Sequence, residues 1–235
     1  MEVSRIRALR GPNLWSRHTA IEAVVRCTEA ERDLSATPAF EKRLRELFPA
    51  VGGLHSNKPS VPISMAHALE LVALALQAQA GCPVTFSRTT PTEEPGVYQV
   101  AVQYTEEDVG RQAFEHAQGL CRAAADGATY DVAAAVAALA ELDEDVRLGP
   151  STGAIVEAAL ARGIPIRRLT QGSLVQFGWG SLQRRIQAAE VDGTSAISES
   201  IAQDKDLTKK LLHAAGVPVP RGRPVDSKDD GWAAA

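Results

Sequence analysis

The sequence has few cysteines, few aromatic residues and no long apolar run. Its three cysteines, Cys27, Cys82 and Cys121, are widely spaced and form no C-x-x-C pair, which argues against a disulfide framework or a structural zinc site. No apolar stretch reaches the roughly 18 residues that a membrane-spanning helix needs. The net charge of −4 provides no overall basic field for nucleic acid or anionic lipid. We therefore expect a cytoplasmic protein that binds neither nucleic acid nor membrane.

Several common catalytic motifs are also absent. The chain contains no G-x-x-x-x-G-K-[ST] phosphate loop and no G-x-G-x-x-G dinucleotide loop. Its 235 residues, 45% of them hydrophobic and 23% charged, are enough for one or two domains with a real core.

Residues 1–147 read as an α+β domain. Alternating apolar and polar residues predict strands over 3–9, 20–27 and 97–104. Apolar stripes and residues that favour helices predict helices over 40–48, 63–80, 106–125 and 131–145, the third capped by Thr105, with a loop over 52–62.

The composition changes after residue 147, and residues 148–235 read as the α/β beginning of a second, incomplete domain. Leu148–Thr152 is a turn that caps a helix ending at Arg162, and a strand begins at 164–166. Two short helices follow over 194–203 and 204–215. A last helix starts near Asp226, and we expect that the chain is truncated inside it.

His67 and Glu70 lie three residues apart, on one face of the predicted helix 63–80. An H-x-x-E-H zinc peptidase would need a second histidine at position 71, where this chain has leucine. The simpler interpretation is a buried histidine beside a glutamate. No metal site is predicted.

Two polar turns are candidates for binding a carboxylate. Ser151 stands at a predicted helix N-terminus, where backbone amides favour anions, although capping alone explains most such serines. Arg184 and Arg185 follow the glycine pair Gly178 and Gly180, and two arginines suit a carboxylate-rich ligand. The alternative is a surface hairpin with a solvated basic tip.

The string from Asp204 to Pro220 follows the pattern D-K-x-x-x-K…A-G-[IV]-P-x-P, which resembles the entry to the nucleotide-binding part of the ATP-grasp ligases. In those enzymes the lysine that matches Lys205 reaches a phosphate of ATP as a point charge.

Six segments in order resemble the cyanophycin synthetases, and together they cover essentially the whole chain. They are Leu9–Ser16, Gly81–Thr89, Pro95–Tyr98, Leu148–Thr152, Gly178–Ala188 and Asp204–Gly222. The resemblance implies an ATP-dependent ligase that uses Mg²⁺ to build cyanophycin, a polyaspartate carrying arginine on each side chain. Its substrates would be aspartate, arginine and a polymer primer, and we expect a homo-oligomer.

The same resemblance assigns provisional roles. Ser151 matches a serine that holds the polymer, and Lys205 matches the nucleotide-binding lysine. Some family members carry an H-x-x-E-H site that trims polymer into primers; His67 and Glu70 match two of its residues, and Leu71 departs from the third. The carboxylates that hold Mg²⁺ and the lid over the phosphates would lie beyond Ala235, so no catalytic residue is assigned here.

Three hypotheses follow. The first is the N-terminal part of a cyanophycin synthetase that handles and tethers polymer and is inactive alone. The second is a stand-alone cyanophycin-binding module, with micromolar affinity that weakens as salt screens its charges. The third, least favoured, is a metallopeptidase that uses His67 and Glu70.

Overall fold

A computed structural model of the chain describes residues 1–56, 62–188 and 190–234. Within these ranges the chain is a mixed α/β structure with two four-stranded antiparallel sheets and eight α-helices. The strands are β1 (Glu2–Leu9), β2 (Ala20–Arg26), β3 (Ser87–Pro91), β4 (Val97–Gln103), β5 (Ile166–Arg168), β6 (Leu174–Phe177), β7 (Arg184–Gln187) and β8 (Glu190–Val191). The helices are α1 (Pro38–Leu47), α2 (Met65–Gln79), α3 (Glu107–Asp126), α4 (Val132–Val146), α5 (Pro150–Ala161), α6 (Ala196–Gln203), α7 (Lys205–Ala214) and α8 (Lys228–Ala234).

The first sheet has the strand order β1-β2-β4-β3 and carries the main core on one face. Residues that pair across β2 and β4 point to the same side of a sheet, so the pairs Ile21–Val102, Ala23–Val100 and Val25–Tyr98 form three apolar rungs. All six side chains belong to the buried core. This face of the sheet therefore has to be covered by apolar side chains from helices.

Helices α2 and α3 supply that layer. Helix α3 is amphipathic, with Val109, Ala113, Phe114, Ala117 and Leu120 buried along one stripe. Helix α2 is buried on most of its circumference because it packs against β3 and β4 and also against α3 and α4. None of the helices within the described residues is both long and apolar enough to cross a membrane.

The second sheet, in the order β5-β6-β7-β8, packs with α5 around a small core of Val156, Val175 and Ile186. Beyond it, α6, α7 and α8 bury none of their described residues. Their apolar side chains, such as Ile197 and Trp232, are exposed. The core of the protein thus lies almost wholly in the first sheet and its helices.

Most of the predicted strands and helices are confirmed within one to three residues at each end. Strands β3 and β8 were missed, and β6 and β7 were anticipated only in the alternative of a surface hairpin. Thr105 was wrong as a cap, since Glu106 is the N-cap residue of α3 and makes no side-chain cap bond. The cap of α5 is Gly149, and Thr152 instead donates to the carbonyl of Ala188 at 3.0 Å. Of the predicted loop 52–62, residues 57–61 lie outside the described residues.

Arg168 on β5 joins the second sheet to the helices of the first. Its guanidinium donates to Glu106 Oε2 at 2.7 Å and to the carbonyl of Val146, the last residue of α4, at 2.6 Å. It also donates to the carbonyls of Gly172, at 2.9 Å, and Gln171. Burial raises the pKa of Glu106, and the positive charge of Arg168 opposes that rise. One side chain therefore ties both layers together.

Replacing Arg168 with methionine should loosen this junction. Arg168→Met keeps an unbranched stem but leaves the Glu106 carboxylate and the Val146 carbonyl without their donor, which costs about 1–3 kcal/mol. We expect faster hydrogen exchange in α5 and β5–β7, measured by mass spectrometry, with little change in β2 and β4. Arg167→Met, on the opposite face of the same strand, is the control. Equal exchange in the two variants would contradict a role for the junction.

Candidate functional site

The predicted pair His67 and Glu70 lies in the first turns of α2, where the helix enters the core. His67 is 1% exposed and Glu70 is 3% exposed, so both titratable groups are buried. The helix is placed there by its apolar neighbours Leu69 and Val72, which are fully buried against the sheet. The packing of these apolar neighbours therefore buries His67 and Glu70 as well.

The hydrogen bonds of His67 identify it as a capping residue of its own helix. The backbone N–H of Ser64, the N-cap, donates to His67 Nδ1 at 3.1 Å, and Ser64 Oγ lies 2.9 Å from the same nitrogen. This is a capping box with histidine in the third position, where glutamate or glutamine is usual. Because Nδ1 accepts, the neutral ring carries its proton on Nε2.

The rest of the imidazole is enclosed by apolar groups. Nε2 of His67 is buried and has no hydrogen-bond partner among the described atoms. The ring meets that of Tyr98 edge-on, with centroids 6.0 Å apart. Burial lowers the pKa of His67 to about 4, with a smaller contribution in the same direction from His55. At neutral pH this histidine is uncharged.

The pKa of Glu70 is shifted in the opposite direction to that of His67. Burial raises its pKa, while hydrogen bonds from Thr89 and Ser87 on β3 hold the charged form and oppose the rise. His55, in the loop after α1, acts electrostatically on both Glu70 and His67 although its own side chain is exposed.

These residues do not fit a catalytic zinc ion. Nδ1 of His67 is already used by Ser64, and position 71 is leucine. Among the described residues no three histidine, cysteine, aspartate or glutamate side chains are grouped so that they could hold a metal. A zinc peptidase needs three protein ligands and a water. The pair is better explained as a buried polar cluster.

The buried histidine predicts an acid-sensitive stability. The unfolded chain binds a proton at His67 near pH 6.5 and the folded chain only near pH 4, so this contribution is present above pH 6.5 and is lost as the pH falls toward 4. The contribution of Glu70 to stability changes with pH in the opposite direction, because its pKa is raised in the folded chain. His67→Gln keeps an acceptor for Ser64 and should flatten this part of the curve of urea midpoint against pH.

His18→Gln, at an exposed histidine, is the matched control for that experiment. It should leave the acid limb of the curve unchanged. An unaltered acid limb in His67→Gln as well would show that His67 titrates freely in the folded protein.

Ser151, the predicted polymer-binding serine, is exposed as the second residue of α5. Its hydroxyl makes no hydrogen bond within the described part of the chain, in contrast to Thr152, which is buried and donates to the carbonyl of Ala188. The first turn of a helix leaves backbone N–H groups free, so an anion can be held beside Ser151.

Arg184 and Arg185 are both exposed, but they point to opposite faces of the second sheet, as neighbours on a strand must. Arg184 lies on the face that packs against α5, where it lines a groove of about 290 Å³ with Ile155 and Phe177. Arg185 lies on the outer face, directly across from Gln176. The two guanidiniums therefore do not converge on one carboxylate.

The register adds two residues that the sequence analysis missed, Arg167 and Gln176. Gln176 is paired on its other side with Arg167, so Arg167, Gln176 and Arg185 form one row across three strands. The signal in the sequence is charge: residues 158–189 contain five arginines and no acidic residue.

Lys205, the predicted nucleotide-binding residue, is the first residue of α7 and is exposed. Asp204 caps the helix by accepting from the N–H of Leu207 at 2.9 Å, whereas Lys210 is paired with Asp206. Among the described residues, no ion pair holds Lys205, and no hydrogen bond joins it to Ser151, Arg184 or Arg185. The structure does not gather these residues into one cluster.

Comparison with known proteins finds similarity to cyanophycin synthetases along nearly the whole chain. Residues 23–126 match the family model described as the cyanophycin synthase-like N-terminal domain. The chain is 40% identical, over 98% of its length, to the cyanophycin synthetases of Trichormus variabilis and a Nostoc species. It is 36% identical, over 96% of its length, to that of Crocosphaera subtropica.

The chain spans only about a quarter of these relatives, namely 27% of the first two and 28% of the third. The similarity therefore concerns the N-terminal portion of much longer proteins.

Proposed function

The chain carries a cyanophycin synthase-like N-terminal domain at residues 23–126, and on that premise we propose that it is the N-terminal portion of a cyanophycin synthetase. The whole enzyme would be an ATP-dependent ligase that joins aspartate and arginine into cyanophycin. The observation that carries the proposal is the 40% identity to cyanophycin synthetases over 98% of the chain. Such identity extends well past residue 126, into the second sheet and the last helices.

The portion after residue 147 would be the start of an ATP-grasp domain. The position of Lys205 supports this proposal, because an exposed lysine in the first turn of a helix combines its own charge with free backbone N–H groups, both favourable to a phosphate. The uncovered apolar side chains of α6 and α7 also suit a helical pair that packs against further structure.

ATP and Mg²⁺ would be cofactors of the whole enzyme. When bound, ATP would activate a carboxyl group for amide formation. In this chain only Lys205 is proposed to approach a phosphate, and no group of carboxylates that could hold a cation occurs among the described residues. The 235 residues alone would therefore lack most of the nucleotide site.

The role proposed for this portion is to hold polymer. Ser151 would contact it at the N-terminus of α5, and Arg185 would offer an unpaired guanidinium to a carboxylate. Arg184, on the other face, would have to contact a different part of the ligand.

Trimming of polymer into primers is not part of the proposal. Such a reaction would need a metal-bound water, and the capping bond at Nδ1 of His67 together with Leu71 leaves no three-ligand set. The enzyme would depend on primer supplied to it.

The isolated chain should bind cyanophycin without catalysing ligation. We expect micromolar binding that weakens with added salt, since exposed charges are screened over about 8 Å at physiological ionic strength. We expect no ATP-dependent incorporation of labelled aspartate or arginine. Incorporation by the isolated chain would show that it is not inactive. Absence of polymer binding would show that it does not hold polymer.

A second candidate is a stand-alone cyanophycin-binding module, favoured by the acid-free stretch of five arginines. The intact mass of the native protein in its source cells separates the two. A protein several times larger than 25.0 kDa supports the ligase, and one near 25.0 kDa supports the module.

Ser151→Ala in the full-length enzyme tests the serine. Loss of one hydroxyl that bonds a charged group costs about 1.5–3 kcal/mol, so we expect the KM for primer to rise about tenfold or more with kcat nearly unchanged. Ser181→Ala, an exposed serine between β6 and β7, is the control. An unchanged KM in Ser151→Ala would remove Ser151 from the polymer site.

A further inference from the structure

The outer face of the second sheet carries two arginines and a glutamine in one line. Arg167 pairs with Gln176, and Gln176 pairs with Arg185, so the three side chains stand side by side on β5, β6 and β7. We call them the arginine row. Neighbouring strands lie about 4.8 Å apart, which places the two arginine backbones roughly 10 Å from each other. Both arginines are exposed, whereas Gln176 between them is 8% exposed.

The charge around this row differs from that of the whole protein. The chain has 25 basic and 29 acidic residues and a net charge of −4. Residues 158–189 hold five arginines and no acidic residue, so this stretch is +5 and the remainder is −9. The overall field does not attract carboxylates, whereas this local surface carries positive charge that does.

Three of the five arginines are already engaged or face elsewhere. Arg168 ties the sheet to α3 and α4. Arg162 and Arg184 donate to the main-chain carbonyls of Ala158 and Gln183 and lie on the α5 side of the sheet.

Arg167 and Arg185, by contrast, have no side-chain hydrogen bond or ion pair within the part of the chain that the structure describes. The nearest acid in the register is Asp192, whose carboxylate accepts from the backbone N–H of Arg185 at 3.3 Å. Glu190 lies on the same face one step further, across from Gln187. The two guanidiniums keep all their donors for an external group.

We propose that the arginine row is a binding site for an extended, carboxylate-bearing chain, which on the proposed function is the polymer itself. The inference rests on that function and makes it specific: Arg167 and Arg185 bind the polymer, while Arg184 does not share their site. Guanidinium and carboxylate form bidentate pairs. Gln176 between them is buried and donates to the carbonyl of Gly178 at 3.2 Å, so the two arginines carry the site. Two linked contacts on one ligand reinforce each other, because the second forms at high effective concentration.

The test uses fluorescently labelled poly-L-aspartate as the probe, followed by fluorescence anisotropy, with unlabelled cyanophycin as competitor. Arg167→Gln and Arg185→Gln should each weaken binding about tenfold, as expected for one charge-assisted contact, and the double variant more than either. The salt dependence of the double variant should also be shallower. Because both side chains are exposed and unpartnered, far-UV circular dichroism and thermal midpoints should stay those of the wild type.

Arg17→Gln with Arg122→Gln is the matched control, since it removes the same charge at two exposed arginines outside the second sheet. Its binding should stay within about twofold of wild type, a difference well below the tenfold that 1.4 kcal/mol gives. Equal losses in the two double variants would overturn the site and indicate a diffuse charge effect. Stronger binding of single-stranded DNA than of poly-L-aspartate at the row would also overturn it, in favour of a phosphate ligand.

The remaining outcomes separate this inference from the proposed function. If the wild type binds poly-L-aspartate and cyanophycin and the Arg167/Arg185 double variant binds both equally well, the arginine row is wrong and polymer handling stands. If the wild type binds neither ligand, the proposed polymer-binding function and the arginine-row site are both wrong.

Discussion

The burial of α2 against the apolar rungs of β2 and β4 is the constraint on which the structure around the first sheet depends. A helix enclosed by a sheet on one side and by α3 and α4 on others must bury its polar residues as well as its apolar ones. His67, Glu70 and Gln77 are buried for this reason, and within the described residues Nε2 of His67 and Oε1 of Gln77 are left without a hydrogen-bond partner. Gln77 donates to carbonyls of Ala73 and Gln103, tying helix to strand. Burial therefore explains the perturbed titration of His67 and Glu70 without invoking catalysis.

The second sheet and α5, in contrast, bury little apolar surface. Their core of Val156, Val175 and Ile186 is small, and Arg168 joins them to Glu106 and to the carbonyl of Val146 through polar contacts. A sheet with so little apolar burial is stabilised by its neighbours, and this fits a portion whose relatives continue far beyond it. One consequence is that charged side chains there stay available, because few are needed to satisfy buried groups.

Sequence reasoning predicted the elements that obey strong local rules. Helix α2 is rich in alanine, leucine and glutamine and ends before Gly81, and β4 alternates clearly. It missed β3, because Ser87–Pro91 has no apolar alternation and is paired only along one edge. It also could not find the capping bond of His67, since histidine rarely fills that position of a capping box.

The arginine row could not be predicted from the sequence alone. That Arg184 and Arg185 point to opposite faces follows from the two-residue period of a strand and could be predicted. That Arg185 shares its face with Arg167, eighteen positions earlier, depends on the pairing of three strands, which no local pattern specifies. Charge segregation does appear in the sequence, as an acid-free stretch in an acidic protein. Composition can thus locate a candidate binding surface, whereas only the register decides which of its arginines act together.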